Sequence, residues 1–168
     1  MKQAVTFQLP GASWTLELSD SVLAVLGANA QFGRRDPESV GQLFVRDLTQ
    51  AEVVVELATV LKPTLARRTR VKFDVAAAQS ERDRLFEKGW HCIGIWHSHP
   101  EPFPSPSDED HELASDHARA AQGQLSGLTF AIVGTSPLPA GLGVWVHDGQ
   151  DMHGMVLLDS ASVKPPAR

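Results

Sequence analysis

Two histidines separated by one residue, His97 and His99, open the stretch HSHPEPFPSPSDED over residues 97–110. Side chains two apart on a strand leave the same face about 6.5 Å from one another, close enough to converge on one ion. The preceding run, WHCIGIWHSH, is apolar and strand-like, which turns Trp96 and Ser98 to the opposite face. A pair of neutral imidazoles suits Zn²⁺, which would need at least one more protein ligand and an open position to be catalytic. Asp110 is placed to be that ligand, in the first turn of a helix predicted after the proline loop. Ser107 and Asp110 also have the S-x-x-D spacing of a capping box. The two roles are compatible, because a helix N-terminus abutting the strand end can present a carboxylate to the ion. His117 lies about 10 Å further along the helix axis, and His91 about 20 Å back along the strand. Those two, with His111, His147 and His153, are expected to be surface or structural histidines.

The elements around these residues follow from hydrophobic period and turn chemistry. QAVTFQLP and WTLEL alternate on either side of Pro10-Gly11 and predict a β-hairpin. SDSVLAVLGANAQF predicts a helix capped by Ser19 or Asp20, with Val22, Leu23, Leu26 and Ala30 on one face. VGQLFVRDL and AEVVVELATVL predict two strands, the second rich in β-branched residues and therefore central. TRVKFDVA reads as a short strand, and AAQSERDRLFEKG as a helix ended by Gly89. After the histidine strand and the proline loop, SDEDHELASDHARAAQG reads as a further helix. LTFAIVGT, LGVWVHDG and MVLLDS predict three more strands, the last two joined through HDGQDMHG. The expected result is one α/β domain with a mixed sheet over residues 1–160 and a flexible tail over 161–168.

Composition sets outer bounds. A chain of 168 residues with 42% hydrophobic and 21% charged residues is long enough to bury a core without staples. Its single cysteine, Cys92, cannot form an internal disulfide, which favours a reducing compartment. The N-terminal stretch alternates and carries acids, unlike a secretory signal, and no apolar run approaches the ~20 residues of a membrane span. Net charge is −5 and the strongest basic cluster is RRTR, which argues against a nucleic-acid partner. A cytoplasmic location is expected.

His97-Ser98-His99, seven residues, Ser107, two residues, Asp110 reproduces H-x-H-x7-S-x2-D, with Pro100 after the second histidine. In this the chain resembles the JAMM (JAB1/MPN/Mov34) zinc metalloproteases, and the order of its elements is similar to the MPN (cytidine-deaminase-like) fold, a mixed curved sheet flanked by helices. The resemblance covers roughly residues 15–158. It implies one zinc per chain held by His97, His99 and Asp110. It also implies an upstream glutamate in E-x-x-G-x-L-x-G that serves as general base. ESVGQLFV matches with Glu38, Gly41 and Leu43, and has Val45 where the last glycine would stand. Glu17, Glu52 and Glu56 fit that pattern less well. Ser107 would donate to the developing oxyanion or orient the water.

By resemblance, the reaction would be amide hydrolysis without a covalent intermediate. GWHCIGIWHSHPEPFPSPSDED looks like the bacterial JAB proteins encoded beside E1-like, E2-like and ubiquitin-like proteins in antiphage or conjugative-element operons. This implies cleavage after the C-terminus of a ubiquitin-like protein, by deconjugation or precursor processing, with the E1-like and E2-like proteins as further partners. A sulfur-carrier-protein or small-molecule amide hydrolase with the same centre is the alternative, and a metal-free MPN scaffold is another. A cupin would need a glutamate where Phe103 and Pro104 stand, a metallo-β-lactamase H-x-H-x-D-H, and a zinc deaminase paired cysteines.

Overall fold

A computed structural model describes residues 3–66 and 71–158. Strands β1 (Val5–Gln8) and β2 (Thr15–Leu18) form the expected hairpin, turning where Gly11 takes φ 81°, a conformation that glycine adopts without strain. Helix α1 (Asp20–Ala28) starts at Ser19, whose hydroxyl accepts from the Val22 N–H, and buries Val22, Leu23 and Leu26. Strands β3 (Val40–Val45) and β4 (Glu52–Ala58) pair antiparallel. Strands β5 (Pro63–Ala66) and β6 (Val71–Phe73) make a separate two-stranded sheet. Helix α2 (Val75–Phe86) is capped by Asp74. It gives way to Gly89 at φ 86° and then to β7 (His91–Ser98), the histidine strand. Helix α3 (Asp108–Ala121), β8 (Leu128–Val133), β9 (Leu142–His147), β10 (Met152–Gly154) and β11 (Val156–Leu158) complete the order.

Nine strands form one mixed sheet in the order β10-β9-β8-β7-β3-β4-β2-β1-β11, parallel at β2–β4 and β7–β8. Strands β10 and β11 are separated only by Met155, yet they stand at opposite ends of that order. The sheet must therefore curl until its two edges nearly meet. This corrects the expected ending: HDGQDMHG holds the end of β9, a turn and the short strand β10, and the last strand leaves to pair with β1. β5 went unread in the sequence because it is short and begins at a proline. The RRTR cluster and the tail over 161–168 lie outside the described residues. No helix among the described residues is long and apolar enough to cross a membrane.

The sheet buries apolar side chains on both faces. Helix α1 packs on one, with Phe7, Leu16, Leu43, Val55 and Trp96. Helices α2 and α3 supply Ala78, Ala114 and Ala118 to the other, with Val40, Ile95, Phe130 and Ile132. The register slips between Leu43 and Phe44, which face Gly94 and Cys92, so Ile93 is an extra residue in β7. That bulge resets the alternation. Ile93 and Trp96 face the α1 side, while Ile95 joins the α2/α3 side, where the His97 ring lies 5.2 Å from that of Phe130.

Candidate metal centre

β7 ends between β3 and β8, covered on both edges, with His97 opposite Val40 and Ile132. His99 lies one residue past the strand, yet its N–H still donates to Val133 O (2.9 Å). The two rings sit edge to face at 4.6 Å between centroids, and both residues are buried. The strand-end geometry expected from H-x-H is therefore present, with the ladder extended by one hydrogen bond beyond the regular strand.

Asp110 arrives from the first turn of α3. Ser107 is the N-cap: its hydroxyl accepts from the Asp110 N–H (3.2 Å), and its own N–H donates to Asp110 Oδ2 (2.8 Å), a reciprocal capping box. The same carboxylate reaches both imidazoles, with Oδ1 3.3 Å from His97 Nε2 and Oδ2 3.2 Å from His99 Nε2. Capping and proximity to the histidines thus coexist in one side chain. Burial would raise the Asp110 pKa, but the contact with His99 and the nearness of His97 outweigh it and hold the carboxyl below its usual range.

Glu38 enters from the segment before β3. It is buried, with Oε1 3.9 Å from His99 Nε2. Ligand atoms of Glu38, His97 and His99 lie within 4.8 Å of one another, so these three residues can hold a metal ion. With Asp110 beside both histidines, four candidate ligands converge rather than three. Burial is the main cause that pushes the Glu38 carboxyl up to about 7, against the opposing pull of His99. Burial likewise drives the His97 imidazole down to about 4, which keeps it neutral. His99 is raised, because Asp110, Glu38 and Glu101 outweigh the lowering effect of its burial.

The donor set fits a cation. Neither nitrogen of His97 has a hydrogen-bond partner, nor does Nδ1 of His99, and all three atoms are buried. Native interiors rarely leave such atoms unpaired, whereas a neutral imidazole lone pair facing two carboxylates is what a divalent ion needs.

The other histidines are engaged elsewhere or open to solvent. His117 Nδ1 meets Leu113 O (2.9 Å), His91 stacks edge-on against Phe86, and His147 Nδ1 accepts from the Gly149 N–H (3.0 Å). His153 pairs with Asp148, and His111 is exposed. Glu17, Glu52 and Glu56 lie on β2 and β4, away from the histidine strand. Two contributors had no signal in the sequence. Gln31 is buried after α1 and accepts from Ser98 Oγ (3.0 Å). Glu101 stands 3.8 Å from His99 Nδ1.

Solved structures share this architecture. Protein DSY2949 from Desulfitobacterium hafniense superposes with a TM-score of 0.61 at 20% identity, covering 82% of this chain and 87% of that one. A protein from Salinibacter ruber does so with a TM-score of 0.52 at 18% identity, covering 90% and 95%. At those identities the likeness is one of fold. No curated protein matches the chain. Residues 23–147 match the family described as prokaryotic homologs of the JAB domain; they run from within α1 to the end of β9, with Glu38, both histidines, Ser107 and Asp110, and the chain belongs to that family.

Proposed function

We propose that the protein is a zinc-dependent peptidase or isopeptidase that hydrolyses the amide bond after the C-terminus of a ubiquitin-like protein, within a bacterial ubiquitin-like conjugation pathway. The observation that carries this reading is the convergence of two buried carboxylates, Glu38 and Asp110, on the Nε2 atoms of a buried histidine pair. Membership of the JAB-domain family supports it.

In this reading His97, His99 and Asp110 are the ligands and Glu38 is the base. The partition follows the JAMM resemblance, and the distances are compatible with it: Asp110 lies within 3.3 Å of both Nε2 atoms, whereas Glu38 Oε1 is 3.9 Å from His99 Nε2. When bound, zinc would supply Lewis acidity, polarising a carbonyl and lowering the pKa of a water to about 7. Glu38, buried and with its pKa raised to about 7, can take a proton from the attacking water and return it to the leaving amine. The Ser107 hydroxyl accepts at the helix cap through a lone pair, which leaves its proton to donate to the carbonyl oxygen of the scissile bond.

The loop over 100–106 would form one wall for an extended tail. It is fixed from below: Glu101 O and Pro102 O accept from the N–H groups of Thr135 and Ser136, and a Cβ on Gly134 would come within 2.4 Å of Glu101 O. Prolines 100, 102, 104 and 106 stiffen it further. A rigid wall beside the centre favours a narrow Gly-Gly end. The test is cleavage of a ubiquitin-like protein fused through its C-terminal tail to a reporter. Cleavage that stops with a chelator and with leucine at the penultimate glycine is expected. Equal rates for the leucine variant, or for short free peptides, would replace this reading with a general peptidase or amidase.

A further inference from the structure

The histidine nitrogens divide into two sets. Both Nε2 atoms face Asp110, within 3.3 Å, and form the inner side of the centre. His99 Nδ1, on the other edge of the ring, is buried and has no hydrogen-bond partner. A neutral imidazole that offers Nε2 as a ligand carries its proton on Nδ1, and that N–H requires an acceptor. Asp110 and Glu38 cannot serve, since both are on the Nε2 side.

One carboxylate lies on the outer side. Glu101 Oε1 is 3.8 Å from His99 Nδ1, about 0.6 Å beyond hydrogen-bond reach. Its side chain is 51% exposed. Its backbone is held, because Glu101 O accepts from the Thr135 N–H (2.9 Å) and lies over Gly134, where a Cβ would collide with it. A held main chain places this carboxylate beside the outer edge of the ring.

We propose that Glu101 is a positioning residue of the metal centre: its carboxylate accepts the Nδ1 proton of His99 and so holds Nε2 toward the ion. This rests on the metal reading above. Outer acceptors of this kind fix the tautomer and orientation of a ligating histidine. Glu101 touches neither the ion nor the substrate in this role. It acts only through His99.

The experiment measures zinc affinity of the full chain by competition with a chromogenic chelator, for wild type, Glu101→Ala, Glu101→Gln and His99→Ala, together with the melting temperature of each metal-free protein. Glu101→Ala is expected to weaken zinc binding about 10–100-fold and to leave the metal-free melting temperature unchanged. Glu101→Gln retains an acceptor oxygen and should restore most of the loss. In nitrogen-15 spectra of the zinc-loaded wild type, the His99 ring proton should reside on Nδ1. Unchanged affinity in Glu101→Ala, with His99→Ala weakened, overturns the role of Glu101 alone. Equal losses in the glutamine and alanine variants overturn it as well, since charge and not hydrogen bonding would then be acting. If wild type and His99→Ala bind zinc equally, or neither binds it, the metal reading falls and this inference with it.

Discussion

Ser98, the residue between the two histidines, accepts the backbone N–H of Ser39 through its hydroxyl at 2.8 Å, while Ser39 O accepts the N–H of Ser98. The strand that carries His97 and His99 is thereby locked to the residue that follows Glu38. The hydroxyl also donates to Gln31 Oε1 (3.0 Å), and Gln31 Nε2 donates in turn to Asp36 O, tying down the turn before Glu38. Ser98 is fully buried.

Ser98→Ala should therefore destabilise the fold by about 1–3 kcal/mol, because the half-buried Ser39 N–H loses its acceptor and the buried bond to Gln31 is lost. The measurement is the urea midpoint at unchanged slope. The loss should be accompanied by lower hydrolytic activity, with zinc still bound, since the histidines keep their own contacts.

Glu38→Gln should abolish hydrolysis of the fusion substrate while zinc content stays near one per chain. The amide keeps the volume and one oxygen but cannot accept and return a proton. Elemental analysis beside the rate distinguishes the outcomes. Loss of zinc in this variant would make Glu38 a ligand, consistent with its position in the same cluster as His97 and His99.

Much of this centre could be read from the chain because its constraints are local. H-x-H on a strand and S-x-x-D at a helix start each settle their own geometry, and Ser107, Asp110, His97 and His99 meet as that spacing implies. Glu38 was legible only through the family resemblance, in whose E-x-x-G-x-L-x-G pattern Gly41 and Leu43 fall in register. Gln31 was not, since its contact with Ser98 spans 67 residues and depends on how α1 meets β7. The path of β11 was missed for a related reason. A three-residue strand carries no period to show whether it pairs with β9 or crosses to β1, and closure of the whole sheet decides it.

Gly41→Ala should prevent stable folding. A Cβ there would lie 1.7 Å from Thr59 O and 2.4 Å from Trp96 Nε1, and Trp96 Nε1 already donates to that same oxygen (2.8 Å). Trp96 is fully buried and the Thr59 oxygen is backbone, so neither can give way and the cost should reach or pass the upper end of the about 1–3 kcal/mol typical of overpacking. Soluble yield and circular dichroism provide the check. Val45, where the family pattern has a second glycine, is fully buried among apolar residues and needs no such space.

Glu17→Gln should raise the melting temperature at pH 7 and leave it unchanged at pH 4. Burial, then the neighbouring Glu52, raises the Glu17 pKa. The folded state consequently holds the proton more tightly than the unfolded chain, and stability from this group falls as pH rises through its raised pKa. Glutamine removes that penalty, so the gain appears only where the native glutamate is charged. An equal gain at both pH values would point to packing instead.

His97 offers the sharpest separation of function from stability. It is buried against Phe130 with neither ring nitrogen hydrogen-bonded, and each such atom costs on the order of 1–3 kcal/mol. A residue that served only the fold would be better replaced by an apolar one of similar size. In chelator, His97→Leu should then be at least as stable as wild type. With zinc at 100 times its dissociation constant, wild type should gain about 2.7 kcal/mol from binding to the folded state alone, and the variant none. Denaturant titrations with and without zinc measure both differences. If His97→Leu were equally destabilised in the two conditions, His97 would be a structural residue. If it is stabilised in chelator and overtaken by wild type in zinc, the buried imidazole is retained for the ion at a cost to the metal-free fold.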